Sequence, residues 1–236
     1  MHHFAPVDNT FQALCDREPP IFSNEVVALV DQIWADACEK QPSLFDGKAL
    51  GVSEISEGKL HCYSLPYRFV FAQSRNDDVA RQLNLTAAAV SGVVLAGDKL
   101  FVGRRAQSVT SERGKLELVP SGGLAVPQSG SHIDFVEQLL VELEEEIAVS
   151  RERVKTVYPF ALIQDKDAHV VDICCKIILS DTNADQILQE FRPNEYSQLS
   201  AHTAAEAQQM AQSTDQDWVL ASNLILSHLL STSRQS

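Results

Sequence analysis

The chain has 236 residues, of which 44% are hydrophobic and 22% charged, the proportions of a globular protein with room for one large domain or a domain plus an appendage. Its 32 acidic residues against 19 basic ones leave a net charge of −13, which argues against nucleic acid backbones and anionic membranes as partners. Five cysteines without CxxC spacing read as reduced thiols; with no signal segment after His2 and His3 and no run of about 18 apolar residues, a soluble cytoplasmic protein is expected.

In chain order, residues 1–20, with Pro6, Pro19 and Pro20, read as irregular. From Ser23 a helix is predicted whose face of Val26, Val30, Ile33, Trp34 and Ala37 ends before Pro42. Segments 49–56, 59–64 and 67–73, split by Gly58 and Pro66, are predicted as a small antiparallel meander, followed by a short helix at 75–85. His61, Tyr63 and Tyr67 read there as packing residues. Residues 1–86 are thus expected to form an N-terminal α+β extension without a chemical motif, and 87–236 a main domain with C-terminal helices.

The main domain is predicted to open with a hairpin, 87–96 and 100–104, turning at Asp98. Arg104 and Arg105 alternate faces, so one of them can point into a site on the sheet. A polar loop at 107–114 leads to a strand at 115–119 and the glycine pair Gly122-Gly123. Later, 154–163 and 169–179 read as strands around a turn at 165–167, with Cys174 and Cys175 packing on opposite faces. Segments 181–191, 204–211 and 218–230 read as helices; Trp218, Ala221, Ile225 and Leu229 give the last one a buried face, and 231–236 read as frayed. Strands alternating around one long helix predict an α/β/α sandwich with a mixed sheet.

That long helix carries the chemistry. Val136, Leu139, Leu140, Leu143 and Ile147 repeat at steps of three and four, with Ser131 and Asp134 as a predicted capping box. At roughly 100° per residue, Glu142, Glu145 and Glu146 fall on one flank of the stripe and Glu144 on the other. Carboxylates at i, i+3 and i+4 repel one another and crowd the end of the helix where the macrodipole disfavours negative charge. A divalent cation relieves both penalties, and oxygen-only ligation suits Mg²⁺ or Mn²⁺. In a chain this acidic, the competing reading is a solvated surface.

The stretch 120–149 resembles the Nudix box, Gly-x5-Glu-x7-Arg-Glu-U-x-Glu-Glu-x-Gly-U with U bulky and apolar. Residues 142–149, ELEEEIAV, match its second half with all three helix acids, and no other register of the acid run fits. Pro120-Ser121-Gly122-Gly123 matches its entry. The match also has departures. Nineteen positions separate Gly123 from Glu142, four more than the pattern, so 126–132 reads as an insertion. The first acid is missing, with Ser129 or Ile133 at its place, while Val141 replaces the arginine and Ala148 the late glycine. Gln138, one turn before Glu142, is positioned to hydrogen-bond it in place of that arginine.

The resemblance implies a Nudix-type fold over about 87–180 and a hydrolase that cleaves a nucleoside diphosphate linked to another group. Glu142, Glu145 and Glu146 would then hold Mg²⁺ or Mn²⁺, the Gly123 carbonyl would add a ligand, and Arg104 or Arg105 would hold a substrate phosphate. The general base is left open among these carboxylates, Glu195 and Glu206. Gln164 stands where ADP-ribose hydrolases of the family carry a proline, which with the extension and the insertion favours a nucleotide sugar as substrate. Phe101, Tyr158 and Phe160 are candidates for stacking the base. The expected partner is a small-molecule nucleotide, with a homodimer left open. Two other readings stand beside this one: a Nudix-fold module that binds a nucleotide or protein partner without turnover, and an unrelated α/β protein with an acidic surface helix.

Overall fold

In the computed structural model of the protein, residues 2–109, 111–180, 183–213, 215 and 217–229 are described. The first third contains β1 (His3–Pro6), β2 (Gln12–Cys15), α1 (Asn24–Lys40), β3 (Lys48–Ser56), β4 (Lys59–Pro66), α2 (Tyr67–Arg75) and α3 (Asp77–Leu83). There follow β5 (Ala87–Ala96), β6 (Lys99–Arg105), β7 (Leu116–Leu118), β8 (Ser121–Gly123) and α4 (Phe135–Ile147). The chain continues with β9 (Val154–Asp165), β10 (Val170–Leu179), α5 (Ala184–Glu190), β11 (Tyr196–Thr203), α6 (Ala204–Gln212) and α7 (Leu220–Leu229).

Among the described residues, eleven strands join one mixed sheet. Its spine is the parallel pair β5 and β10, apolar on both faces as a buried parallel strand must be. The main path runs β1-β9-β10-β5-β3-β4-β2, with β8 on β5, and β6 bonded to β5, β7 and β11. Alternation along the strands fixes the layers. Val90, Val94, Cys175 and Ile177 pack with Leu139, Leu143 and Ile147 of α4 and Ile187 of α5. Val93, Ala161 and Cys174 face the other way, against Ala207 of α6 and Ala221 and Ile225 of α7. Helices therefore cover both faces, which makes the α/β/α sandwich. A third cluster, including Val30, Tyr63, Phe69 and Val79, binds α1, α2 and α3 to β4. Among the described residues no helix is long and apolar enough to cross a membrane.

Several sequence expectations meet their counterparts. Ser23 caps α1 by accepting from the Val26 N–H, the hairpin turns at Gly97 and Asp98, and Cys174 and Cys175 are buried in opposite clusters. Ala221 and Ile225 are buried as expected; the side chain of Leu229, with residues 230–236, Thr110 and 181–182, lies outside the described residues.

Other expectations are corrected. Segment 67–73 is helix α2, not a strand: Phe69, Ala72 and Gln73 are its buried residues, at helical steps, and the Gln73 amide bonds both backbone groups of Leu85. Residues 3–6 and 12–15 are strands, not irregular chain. The strand Tyr196–Thr203, absent from the sequence reading, lies along the edge of β6. The cap of α4 is Asp134, which accepts from the Glu137 N–H at 2.9 Å. Ser131 is committed elsewhere: its carbonyl accepts from the Cys15 N–H at 2.7 Å, and the Ile133 N–H bonds Ala13 at 2.9 Å. The end of the inserted loop is therefore a docking strip for β2.

Candidate active site

The helix that bears the glutamates is held at both ends. Asp134 satisfies its first turn, and Glu137 is clamped by Arg151 at 2.7 Å. At the far end the Ala148 N–H reaches back to Glu144 with Ala148 at φ 57°, the left-handed conformation that favours glycine. Leu139, Leu143 and Ile147 fix its rotation by burial in the core.

That rotation separates the three glutamates. Glu145 is exposed, Glu142 half-buried, and Glu146 only 3% exposed, so Glu146 lies within the buried face of α4 and not on a solvated flank. Glu142 lies against the backbone of Gly122, where any Cβ would overlap its carboxylate. The Gln138 amide donates to Glu142 Oε1 at 2.7 Å, the contact expected from their spacing. Burial pushes the Glu142 carboxyl above its ordinary range; Gln138 opposes this, and the charges of Glu145 and Glu195 add to it.

Glu146 is the more unusual group. Its Oε2 accepts from the Ser121 N–H at 3.1 Å, while its buried Oε1 has no hydrogen-bond partner. Burial pushes this carboxyl up to about 9, with Glu117 the next contributor. Glu117, itself buried, projects from β7 and was not singled out in the sequence. It receives Arg105 at 2.6 Å and the Tyr196 hydroxyl at 2.9 Å on Oε2, and the Ser121 hydroxyl at 2.9 Å on Oε1. Only the absence of a side chain at Gly103 lets the Tyr196 ring lie across β6 to reach it.

An orphaned buried carboxylate oxygen beside a second, half-buried carboxylate is the feature a hard cation fits: all donors are oxygens, and the missing partner is a charge. Glu142 and Glu146 fit Mg²⁺ or Mn²⁺ in this respect, with Glu145 at the exposed end of the set. The three do not form a cluster within 4.8 Å. Among the described residues, the three side chains of metal-binding type gathered within 4.8 Å are instead His2, Asp165 and Asp167, where Asp165 Oδ1 caps the turn between β9 and β10.

The remaining predicted residues divide. Arg105 reaches the glutamate corner, but as the partner of Glu117; Arg104 turns away and donates to the Gly114 carbonyl at 2.9 Å. The close approach falls at Gly122, since a side chain on the exposed Gly123 would meet nothing within 4 Å. Glu195 is close enough for its charge to act on Glu142 and Glu146, whereas Glu206 is tied into the capping box of α6 with Thr203. Phe101 is fully buried and unavailable for stacking; Phe160 lies under Lys176. A groove of about 410 Å³ between α1 and α2, bordered by Lys40, Phe71 and Arg75, includes none of these residues.

Fold and site together define an α/β/α sandwich with an acidic helix packed against the glycine-bearing strand β8. Neither a protein-family model nor a curated protein matches the sequence. Among solved structures, the chain is similar to a NUDIX hydrolase from Alicyclobacillus acidocaldarius at 13% identity, TM-score 0.46, covering 62% of this chain and 91% of that one. It is similar to a mutT/nudix family protein from Listeria innocua at 14% identity, TM-score 0.43, covering 63% and 94%. A bifunctional NMN adenylyltransferase/ADP ribose pyrophosphatase from Francisella tularensis is similar at 11% identity, TM-score 0.44, over 69% of this chain and 45% of that one. The chemistry of the site rests on its own residues.

Proposed function

We propose that this chain is a divalent-metal-dependent hydrolase of Nudix type that cleaves the diphosphate of a nucleoside diphosphate-linked compound, with a nucleotide sugar as the favoured substrate. The observation that carries the reading is Glu146: a buried carboxylate with one oxygen held by a backbone N–H and the other unpartnered, beside Glu142. A structural carboxylate would have both oxygens satisfied, as Glu117 does.

Glu142 and Glu146 would hold the cation, with Glu145 completing the set from the exposed end. Bound Mg²⁺ would polarise the phosphoryl oxygens, offset the charge of the leaving group and orient the attacking water. Gln138 keeps the Glu142 carboxylate directed toward Gly122, and the Ser121 N–H fixes the rotation of Glu146. Glu195, exposed and within the field of both, is the better candidate for accepting a proton from water; the capped Glu206 is not.

A second reading, binding without turnover, is favoured by one observation: Arg104 and Arg105 are both engaged with the protein itself, so neither offers a ready phosphate clamp. A panel of nucleoside diphosphate sugars with Mg²⁺ or Mn²⁺, read as phosphate released by an added phosphatase, tests the proposal. The expected products are a nucleoside monophosphate and a sugar phosphate. Tight nucleotide binding without release across the panel would establish the binding module instead.

A further inference from the structure

We propose that Arg105 and Glu117 are positioning residues for the Glu146 carboxylate, acting on it through Ser121. The proposal rests on the reading of Glu146 as a cation ligand. It starts from a shortage: the sequence of α4, FVEQLLVELEEEI, contains no lysine or arginine, so any fixed counter-charge for its glutamates must come from other elements, and Arg151 is taken by the exposed Glu137. Arg105, on β6, is a cation that feels the charges of both Glu117 and Glu146.

The connection is a continuous chain of short bonds. Arg105 and the Tyr196 hydroxyl converge on Oε2 of Glu117, at 2.6 and 2.9 Å, and fix its plane. Oε1 of the same carboxylate takes the Ser121 hydroxyl at 2.9 Å. Ser121 is thereby held from its side chain while its backbone N–H holds Glu146 Oε2 at 3.1 Å. One serine thus ties two carboxylates to each other. The outcome is that Glu146 is gripped by one oxygen and presents the other, bare.

A buried ion pair gives little net stability, because desolvating both charges roughly cancels their attraction. Arg105 and Glu117, 12% and 8% exposed at their side chains, are therefore poorly explained as a stabilising pair alone. Their role as a rigid anchor for β8, the strand that meets the helix acids, accounts for them. Outer-sphere partners of this kind typically contribute 10–100-fold to metal affinity.

The test is Mn²⁺ affinity of the full chain, measured from the resonance signal of the free ion, for the wild type, E146Q, S121A, S121T and E117Q. S121A removes the link while leaving the backbone donor in place, at a half-buried position that water can reach. The expected result is Mn²⁺ affinity reduced about 10–100-fold in S121A and E117Q, with recovery in S121T, which restores the hydroxyl. Metal-free S121A should remain folded with a modestly lowered melting temperature, because the buried Glu117 Oε1 loses its donor, and S121T should restore it. If E146Q loses Mn²⁺ but folded S121A and E117Q bind it as the wild type does, the positioning role is overturned and the ligand reading stands. If E117Q does not fold, the serine pair decides alone. Equal affinity of wild type and E146Q would overturn the ligand reading and this proposal together.

Discussion

At the scale of single residues, the site is a contest between burial and charge, and Glu146 shows it most clearly. Its carboxyl, ordinarily near 4.5, is pushed up to about 9 by burial and by Glu117. The folded chain therefore binds a proton that the unfolded chain releases. Stability from this group is fully present below about pH 4.5 and falls as pH rises toward about 9. Asp172, buried beside Ser91 and pushed up to about 6, adds a fall over the more acidic part of the range. Metal-free protein should accordingly melt at lower temperature at pH 8.5 than at pH 6. Glu146→Gln, which mimics the protonated acid, should flatten the curve above pH 6. A wild-type curve already flat between pH 6 and 9 would show that Glu146 is not held in its neutral form.

Two glycine positions and one alanine give sharper single-residue tests. Gly122→Ala should displace the flexible, half-buried Glu142 side chain and cost about 1 kcal/mol, because its Cβ would overlap that carboxylate. Gly123→Ala, with open space around it, should stay within about 0.5 kcal/mol of wild type in denaturant unfolding. Equal effects at the two positions would contradict the close approach. Ala148→Gly should stabilise by about 0.5–1 kcal/mol, since glycine relieves the left-handed backbone at φ 57°. A loss in the same unfolding assay would mean that the helix end relaxes in another way.

At the scale of elements, the inserted loop and the N-terminal strand stabilise each other. Phe11, 6% exposed, packs on Phe135 with ring centroids 6.3 Å apart, next to the bonds from β2 to residues 131 and 133. Phe11→Ala should cost about 3–5 kcal/mol and raise hydrogen exchange at the Ile133 amide more than at amides of β10. Unchanged protection at Ile133 would show that the loop does not depend on β2.

The elements also show what a sequence reveals. Helix α4 was legible because its apolar steps of three and four survive any tertiary context, and the same periodicity placed Gln138 beneath Glu142. It overestimated the symmetry of the acids: the helix is buried over a wider arc than its apolar stripe, and Glu146 falls inside it. The run Phe69-Val70-Phe71-Ala72 read as a strand because a short apolar run does not display its period. Strand Tyr196–Thr203 was hidden by its polar residues, which suit an edge supported mainly by backbone bonds to β6. The Arg105–Glu117–Tyr196 group could not be read at all, since β6, β7 and β11 meet only in the folded sheet.

At the scale of the whole molecule, the chain carries a net charge of −13 and still buries the carboxylates of Glu117, Glu146 and Asp172, the first of them paired with Arg105. A field of that sign repels an anionic substrate but concentrates divalent cations around the protein. On the proposed reading, a cation held by Glu142 and Glu146 would stabilise the entire fold, because the unfolded chain does not bring the two carboxylates together. A ligand that binds only the folded state adds about 2.7 kcal/mol when present at 100 times its dissociation constant.

The most direct measurement is the thermal unfolding of the wild type and E146Q at pH 8, titrated with Mn²⁺ or Mg²⁺. The wild type should gain several degrees in midpoint as the cation saturates, and E146Q should gain little or nothing. An equal gain in both proteins, or no gain in the wild type, would contradict a metal site built on Glu146.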